Sequence, residues 1–270
     1  MTGMELLRAL EHVSPAYVQQ AEETVRRPRR GGMLLLAACL CLTMAAAAFA
    51  AGPGRIWLKE IFSGRRLAPD YMESGFLLGT EPERVPLSLL SQRVRDAGEI
   101  IAGQYRDYSP LSSKAPGRYS PEFTAQQEVL DYVGYAPLRG VELDAREEGS
   151  TLILWGDEAG TILSVTMRTR WKAGQDVRGE TRAQLYTEKY DGETDIGSIT
   201  TEKIHFQTEE KTSASGRTYV EVSSDPLASG YETLEGHLLD GSVIYSIHLA
   251  FRGEERDTAQ QLLEQWAEQF

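Results

Sequence analysis

The feature that most constrains this chain is Met33–Ala51 (MLLLAACLCLTMAAAAFAA), a run of nineteen apolar or near-neutral residues without a charge. At about 1.5 Å per helical residue it reaches roughly the 30 Å of a bilayer core. Arg26, Arg27, Arg29 and Arg30 stand just before it, and Gly52, Pro53 and Gly54 end it. Three readings fit. A permanent signal-anchor helix is the first expectation. The second is a cleaved leader, since Ala48-Phe49-Ala50 offers a small-x-small cleavage site, although the patterned stretch before the run is long for a leader. The third is a lipoprotein leader at Leu36-Ala37-Ala38-Cys39, against which apolar sequence continues past the cysteine. The four arginines outweigh Arg55 and Lys59 on the far side, which places the N-terminus in the cytoplasm and the remainder outside. The expected location is thus the cell membrane, single-pass, with the bilayer as partner of residues 33–51.

Charge is distributed unevenly along the chain. The total is −12, but residues 1–30 carry five arginines against four glutamates, and residues 55–120 ten basic against eight acidic side chains. Residues 121–270 hold thirteen basic and twenty-eight acidic groups. So acidic a region is repelled by nucleic acid and by anionic lipid, and both partners are disfavoured. The only cysteines, Cys39 and Cys41, lie inside the apolar run, so the rest of the chain forms no disulfide and depends on an ordinary core.

In chain order, Leu6, Leu10 and Val13, then Val18, Ala21 and Val25, recur at helical spacing, with Ser14-Pro15 as a start signal. Two short helices of this kind bury no core of their own. They either lie on a membrane surface or dock a cytoplasmic partner, in which case Leu6, Leu10, Tyr17 and Val18 are the candidate contacts. After the run, Arg55–Phe62 is amphipathic, with Trp57 suited to a membrane interface. Leu87–Tyr105 predicts a helix, and Asp107–Pro121 a Pro/Ser/Gly loop. Ser120-Pro121 starts another helix to about Tyr132. Strands are expected at Thr151–Trp155, Thr161–Trp171, Arg182–Tyr190, Ile204–Thr208 and Thr218–Val222. A hairpin of Glu232–Leu239 with Ser242–Phe251 is predicted about Asp240-Gly241, in a type I′ turn. A closing helix at Glu255–Phe270 carries an apolar stripe, Ala259, Leu262, Leu263, Trp266, Ala267 and Phe270.

The expected fold class is α+β: one transmembrane helix, a juxtamembrane helical connector, and an antiparallel sheet packed by the C-terminal amphipathic helix. The domains are a short cytoplasmic helical tail (1–31), the signal-anchor helix (32–52), the connector (53–120) and an extracytoplasmic α+β domain (121–270).

The N-terminal pattern "ELL.AL..VS..YV..A", followed by a basic cluster, one apolar segment and a large C-terminal part from about Phe123, resembles a layout in Gram-positive, clostridial-type bacteria. These are single-pass membrane proteins with an anti-sigma-factor-like N-terminus and a C-terminal extracytoplasmic domain of unknown function. The resemblance implies membrane regulation, with a sigma factor as partner of the N-terminal tail. The zinc-binding anti-sigma type needs a cytoplasmic His/Cys cluster, and this N-terminus has only His12.

No catalytic constellation emerges, and no enzyme, cofactor or metal is expected. Of the four histidines, His205 and His248 fall on strands opposite in parity to the apolar set, and His237 stands near Asp240; a metal site needs three or four convergent ligands, so solvated strand histidines are expected. No G-x-S-x-G elbow, Walker loop or dinucleotide fingerprint occurs. The acidic pairs Glu147-Glu148, Glu209-Glu210 and Glu254-Glu255 suit loops and helix ends, and Asp191–Asp195 a turn. Trp155, Trp171, Tyr186, Tyr190, Tyr219, Tyr231 and Tyr245 fall on or beside strands, as core or as a binding face. The leading expectation is a non-enzymatic membrane protein with an extracytoplasmic sensing or interaction domain; the alternative is an exported envelope binding or structural protein.

Overall fold

Two antiparallel sheets account for most of residues 55–68, 71–107 and 117–270, the residues that the computed structural model describes, all within one unit, Pro53–Phe270. The smaller sheet has three strands: β1 (Ile56–Ala68), β2 (Tyr71–Thr80) and β8 (Ile196–Thr200), in the order β1-β2-β8. The larger has nine. It contains β3 (Gly117–Tyr119), β4 (Glu122–Phe123), β5 (Arg146–Gly156), β6 (Ile162–Ala173), β7 (Val177–Tyr186), β9 (Phe206–Thr212), β10 (Thr218–Ser224), β11 (Tyr231–Asp240) and β12 (Val243–Arg252). Their order is β3-β5-β6-β7-β12-β11-β10-β9, with β4 also on β5.

Two-residue alternation assigns each side chain of the large sheet to a face. Val165 and Met167 of β6 stand in register with Leu185 and Ala183 of β7, and these with Val243 and Tyr245 of β12. That face is apolar and is covered by three helices, α1 (Gln92–Asp107), α2 (Gln126–Val133) and α3 (Arg256–Glu268). From α3, Ala259, Leu262, Leu263, Trp266 and Ala267 are buried on it. Close seating depends on Gly236 of β11, where a Cβ would lie 2.5 Å from Leu263 Cδ1 and 2.7 Å from Trp266 Cζ3. Val94, Ala97 and Ile101 play the same part on α1. Ser91 fixes its start by accepting the Val94 N–H and donating to the Tyr132 carbonyl, which locks α1 to the end of α2. Gly134, at φ 63°, ends α2 with its N–H on the Leu130 carbonyl.

The opposite face holds a second core. Phe76 and Leu78 of β2 and Ile56 of β1 pack on Tyr186, Val220, Val222, Leu239 and Ile244 of the large sheet. The small sheet therefore covers the β9–β12 side of that face.

Several expectations are corrected here. The run Met33–Ala51 and the tail residues lie outside the described residues. Among the described residues no helix is long and apolar enough to cross a membrane. The longest, α1, has sixteen residues, roughly 24 Å at 1.5 Å each, and carries charges along its length. The single-pass topology, the cell-membrane location, the bilayer as partner and the membrane-anchored sensor thus find no support. The connector is not a juxtamembrane helix: its first part, Arg55–Phe62, enters strand β1, with Ile56 buried and Trp57 over Gly79 of the neighbouring strand, while the helix expected at Leu87–Tyr105 forms as α1. Pairing across the β1–β2 hairpin places this amphipathic stretch in a sheet. The helix expected from Ser120-Pro121 begins later, as Glu122 and Phe123 first pair with Thr151 and Ser150. The β11–β12 turn places Gly241 at φ 60° beside Ser242, and among the described residues no non-glycine residue has positive φ. A type I′ turn needs positive φ at both central residues, so this one belongs to the glycine-first kind.

Candidate functional site

The part of the second face left uncovered by the small sheet lies on β5, β6, β7 and β12. Register gives its rows. Arg146, Lys172 and Arg178 stand side by side across β5, β6 and β7. Next come Arg170, Glu180, His248 and Glu235, and then Thr151, Arg168, Arg182, Ser246 and His237. Side chains alternate faces by necessity, so the even-numbered Arg168, Arg170 and Lys172 project outward while Val165 and Met167 enter the core. Arg168 and Arg182 are directly opposite, and Glu180 Oε1 lies between them, 3.0 Å from the first guanidinium and 2.5 Å from the second. Arg146 reaches Glu148 at 2.8 Å. Arg170, Lys172 and Arg178 are exposed, with no ion pair among the described residues.

At the inner end of this face, where β8 passes over it, a recess of about 360 Å³ opens. Glu180, Arg182, Ser246 and His248 line its floor, and Ile196–Ile199 its wall. Glu235 is sunk in it, its side chain only 8% exposed, with Oε1 3.1 Å from His248 Nδ1 and Oε2 3.2 Å from His237 Nε2. His237 is buried and its Nδ1 is 3.0 Å from the Ser246 hydroxyl. Desolvation alone raises the Glu235 pKa, but the two imidazoles more than offset it and hold the carboxylate at about 2. Burial likewise lowers His248, and the Glu235 carboxylate outweighs it, so that its pKa lies above the usual 6.5. The result is a charge-paired anchor beneath a cationic surface. Its three groups face one another, and among the described residues no cluster of His, Cys, Asp or Glu is arranged to hold a metal ion.

The sequence-based candidates fall elsewhere. Arg26, Arg27, Arg29, Arg30, Leu6, Leu10, Tyr17 and Val18 lie outside the described residues. Trp57 sits on the outer side of the small sheet, 37% exposed. His205 is exposed, as expected, but His237 is core and His248 half-buried. Of the seven aromatics, Trp171, Tyr186, Tyr219 and Tyr245 are buried, so they do not form an exposed binding face. Of the Glu147-Glu148 pair, Glu147 serves a helix end: it accepts the N–H of Gln126 at the start of α2, where a carboxylate meets the positive end of a helix. Sequence reading missed Glu235. The expected hairpin could not have found it: a turn at Asp240-Gly241 sets Glu235 opposite Ser246, and only the turn at Gly241-Ser242 brings it opposite His248.

No protein-family model, curated protein or solved structure matches this chain. The expected kinship with anti-sigma-like single-pass proteins is therefore unsupported. The sigma-factor partner rested on that kinship and falls with it.

Proposed function

We propose that this chain is a non-enzymatic binding or structural protein of the cell envelope, exported by its N-terminal region and acting through the open face of the large sheet. The observation that carries this reading is the face itself. Four strands present a continuous polar surface ending in a recess whose size suits ligand contact, on an otherwise packed sheet. Ala48-Phe49-Ala50 at the end of the apolar run, and the absence of cysteine from residues 55–270, are consistent with an exported protein that needs no disulfide.

The test is retention. The full-length chain is mixed with envelope fragments of the producing cells, freed of protein and nucleic acid, and the fragments are sedimented. The chain is expected to sediment with them and to release no soluble product on long incubation, and Arg182→Glu at the mouth of the recess to weaken retention several-fold. A chain left in the supernatant would overturn the binding reading, and release of fragments would make it an enzyme.

A further inference from the structure

We infer that the open face of β5, β6 and β7 binds a flexible linear polyphosphodiester, laid along the rows of Arg146, Arg168, Arg170, Lys172, Arg178 and Arg182. This names the ligand class of the binding surface proposed above and rests on that reading.

Concentration of charge is the first argument. Residues 121–270 have thirteen basic against twenty-eight acidic side chains, yet six of the thirteen share this one face. Only Glu180 and Glu148 accompany them as ion-pair partners. The second argument is energetic. Lys172 is paired directly with both Arg146 and Arg178, and like charges opposite one another weaken a sheet. Arg168 opposite Arg182 has Glu180 between; the row of Arg146, Lys172 and Arg178 has only the exposed Glu148, bonded to Arg146, whose charge also reaches Lys172 and Arg170. One carboxylate against three cations leaves that row in net repulsion, and an anion lying on it removes it.

Geometry selects the ligand. Cations recur about every 7 Å along a strand and about 5 Å between strands. The longer step is close to the phosphate-to-phosphate repeat through a three-carbon alcohol, and five of the six cations are arginines, whose planar fork grips phosphate in bidentate fashion. The three cationic rows carry no Phe, Tyr or Trp on which bases could stack; the aromatics of this face lie two rows away, Trp155 under the Arg118 guanidinium and Tyr186 buried, which disfavours single-stranded nucleic acid. A duplex or a bilayer extends beyond three strands onto acidic surface and is repelled there. A thin chain confined to the strip is not.

The test uses the full-length chain and poly(glycerol phosphate) at several salt concentrations, with a single-stranded oligodeoxynucleotide of equal charge as comparison. Binding to the polymer is expected to fall steeply with salt. R170Q/K172Q/R178Q should bind at least 10-fold more weakly, with the salt slope reduced by about 2, at roughly 0.7 per cation removed. Its melting temperature should be nearly unchanged, because the three side chains make no ion pair among the described residues and their mutual repulsion offsets their attraction to the exposed Glu148. R178Q alone should give a smaller loss in the same direction. Absence of polymer binding at low salt, or equal binding by the triple variant, would overturn the inference. Tighter binding of the oligodeoxynucleotide would overturn the ligand class. Envelope retention that persists alongside either result sinks this inference alone; loss of retention as well takes the general reading with it.

Discussion

Glu235→Gln tests the buried end of the site most directly. In the folded chain Glu235 titrates at about 2 against 4.5 for a free glutamate, although its side chain is only 8% exposed. The difference of roughly 2.5 units, at about 1.4 kcal/mol each, is on the order of 3 kcal/mol. The sign follows from the depressed value. The contribution is present above the unfolded pKa of 4.5 and is lost as pH falls from there to about 2. The amide of the variant does not titrate and pairs poorly with two imidazoles. Urea unfolding followed by tryptophan fluorescence at pH 7 should therefore show the variant less stable by about 3 kcal/mol, within the range for breaking a buried pair. The gap should close between pH 4.5 and pH 2, because the wild-type chain loses there what the variant never had. His248 moves the other way. Its pKa is raised, so its share is complete below 6.5 and fades as pH rises through the folded value, trimming the gap in alkali. Proton NMR should find the His248 transition at lower pH in the variant. A gap under 1 kcal/mol at pH 7, or one that stays constant down to pH 2.5, would refute the argument.

Two further substitutions test the packing that holds the face in place. A Cβ on Gly98 would sit 1.9 Å from the Gly160 carbonyl oxygen, so Gly98→Ala must push α1 off the β5–β6 turn. At about 1–3 kcal/mol the melting temperature should drop roughly 3–10 °C, and an unchanged melt would disprove the close approach. The Tyr245 hydroxyl donates to the Pro137 carbonyl at 3.0 Å and accepts the Arg139 N–H at 2.9 Å, and burial pushes its pKa to about 12. Tyr245→Phe keeps the ring beside Phe270 but orphans both backbone groups, costing about 1–3 kcal/mol in urea unfolding; a loss no larger than that of Tyr190→Phe, at a half-buried site, would contradict this account.

The parts of the fold legible in the sequence are those governed by local periodicity. Alternation in Thr161–Trp171 follows from the two-residue period of a strand, and the stripe Ala259 to Phe270 from the 3.6-residue period of a helix. Asp240-Gly241 marks its turn because glycine tolerates positive φ, though which turn forms depends on the next residue as well. Arg55–Phe62 is amphipathic, which by itself does not choose between helix and strand. A strand was chosen by partners at Tyr71–Thr80, a contact that no local pattern contains.

What the sequence by itself determined is the inventory: an uncharged run at 33–51, an acidic remainder, and strands whose inward and outward residues are fixed by parity. What only the tertiary structure decided is neighbourhood. Arg146, Lys172 and Arg178 are thirty-two residues apart at the extremes, and strand register alone puts them in one row. Glu235 and His248 meet across a hairpin, and their burial comes from β8, which belongs to the other sheet. Parity is a property of one chain segment, whereas register and coverage are properties of pairs of segments. A sheet that gathers six of thirteen basic residues of an acidic region onto one open face does so through that second kind of information.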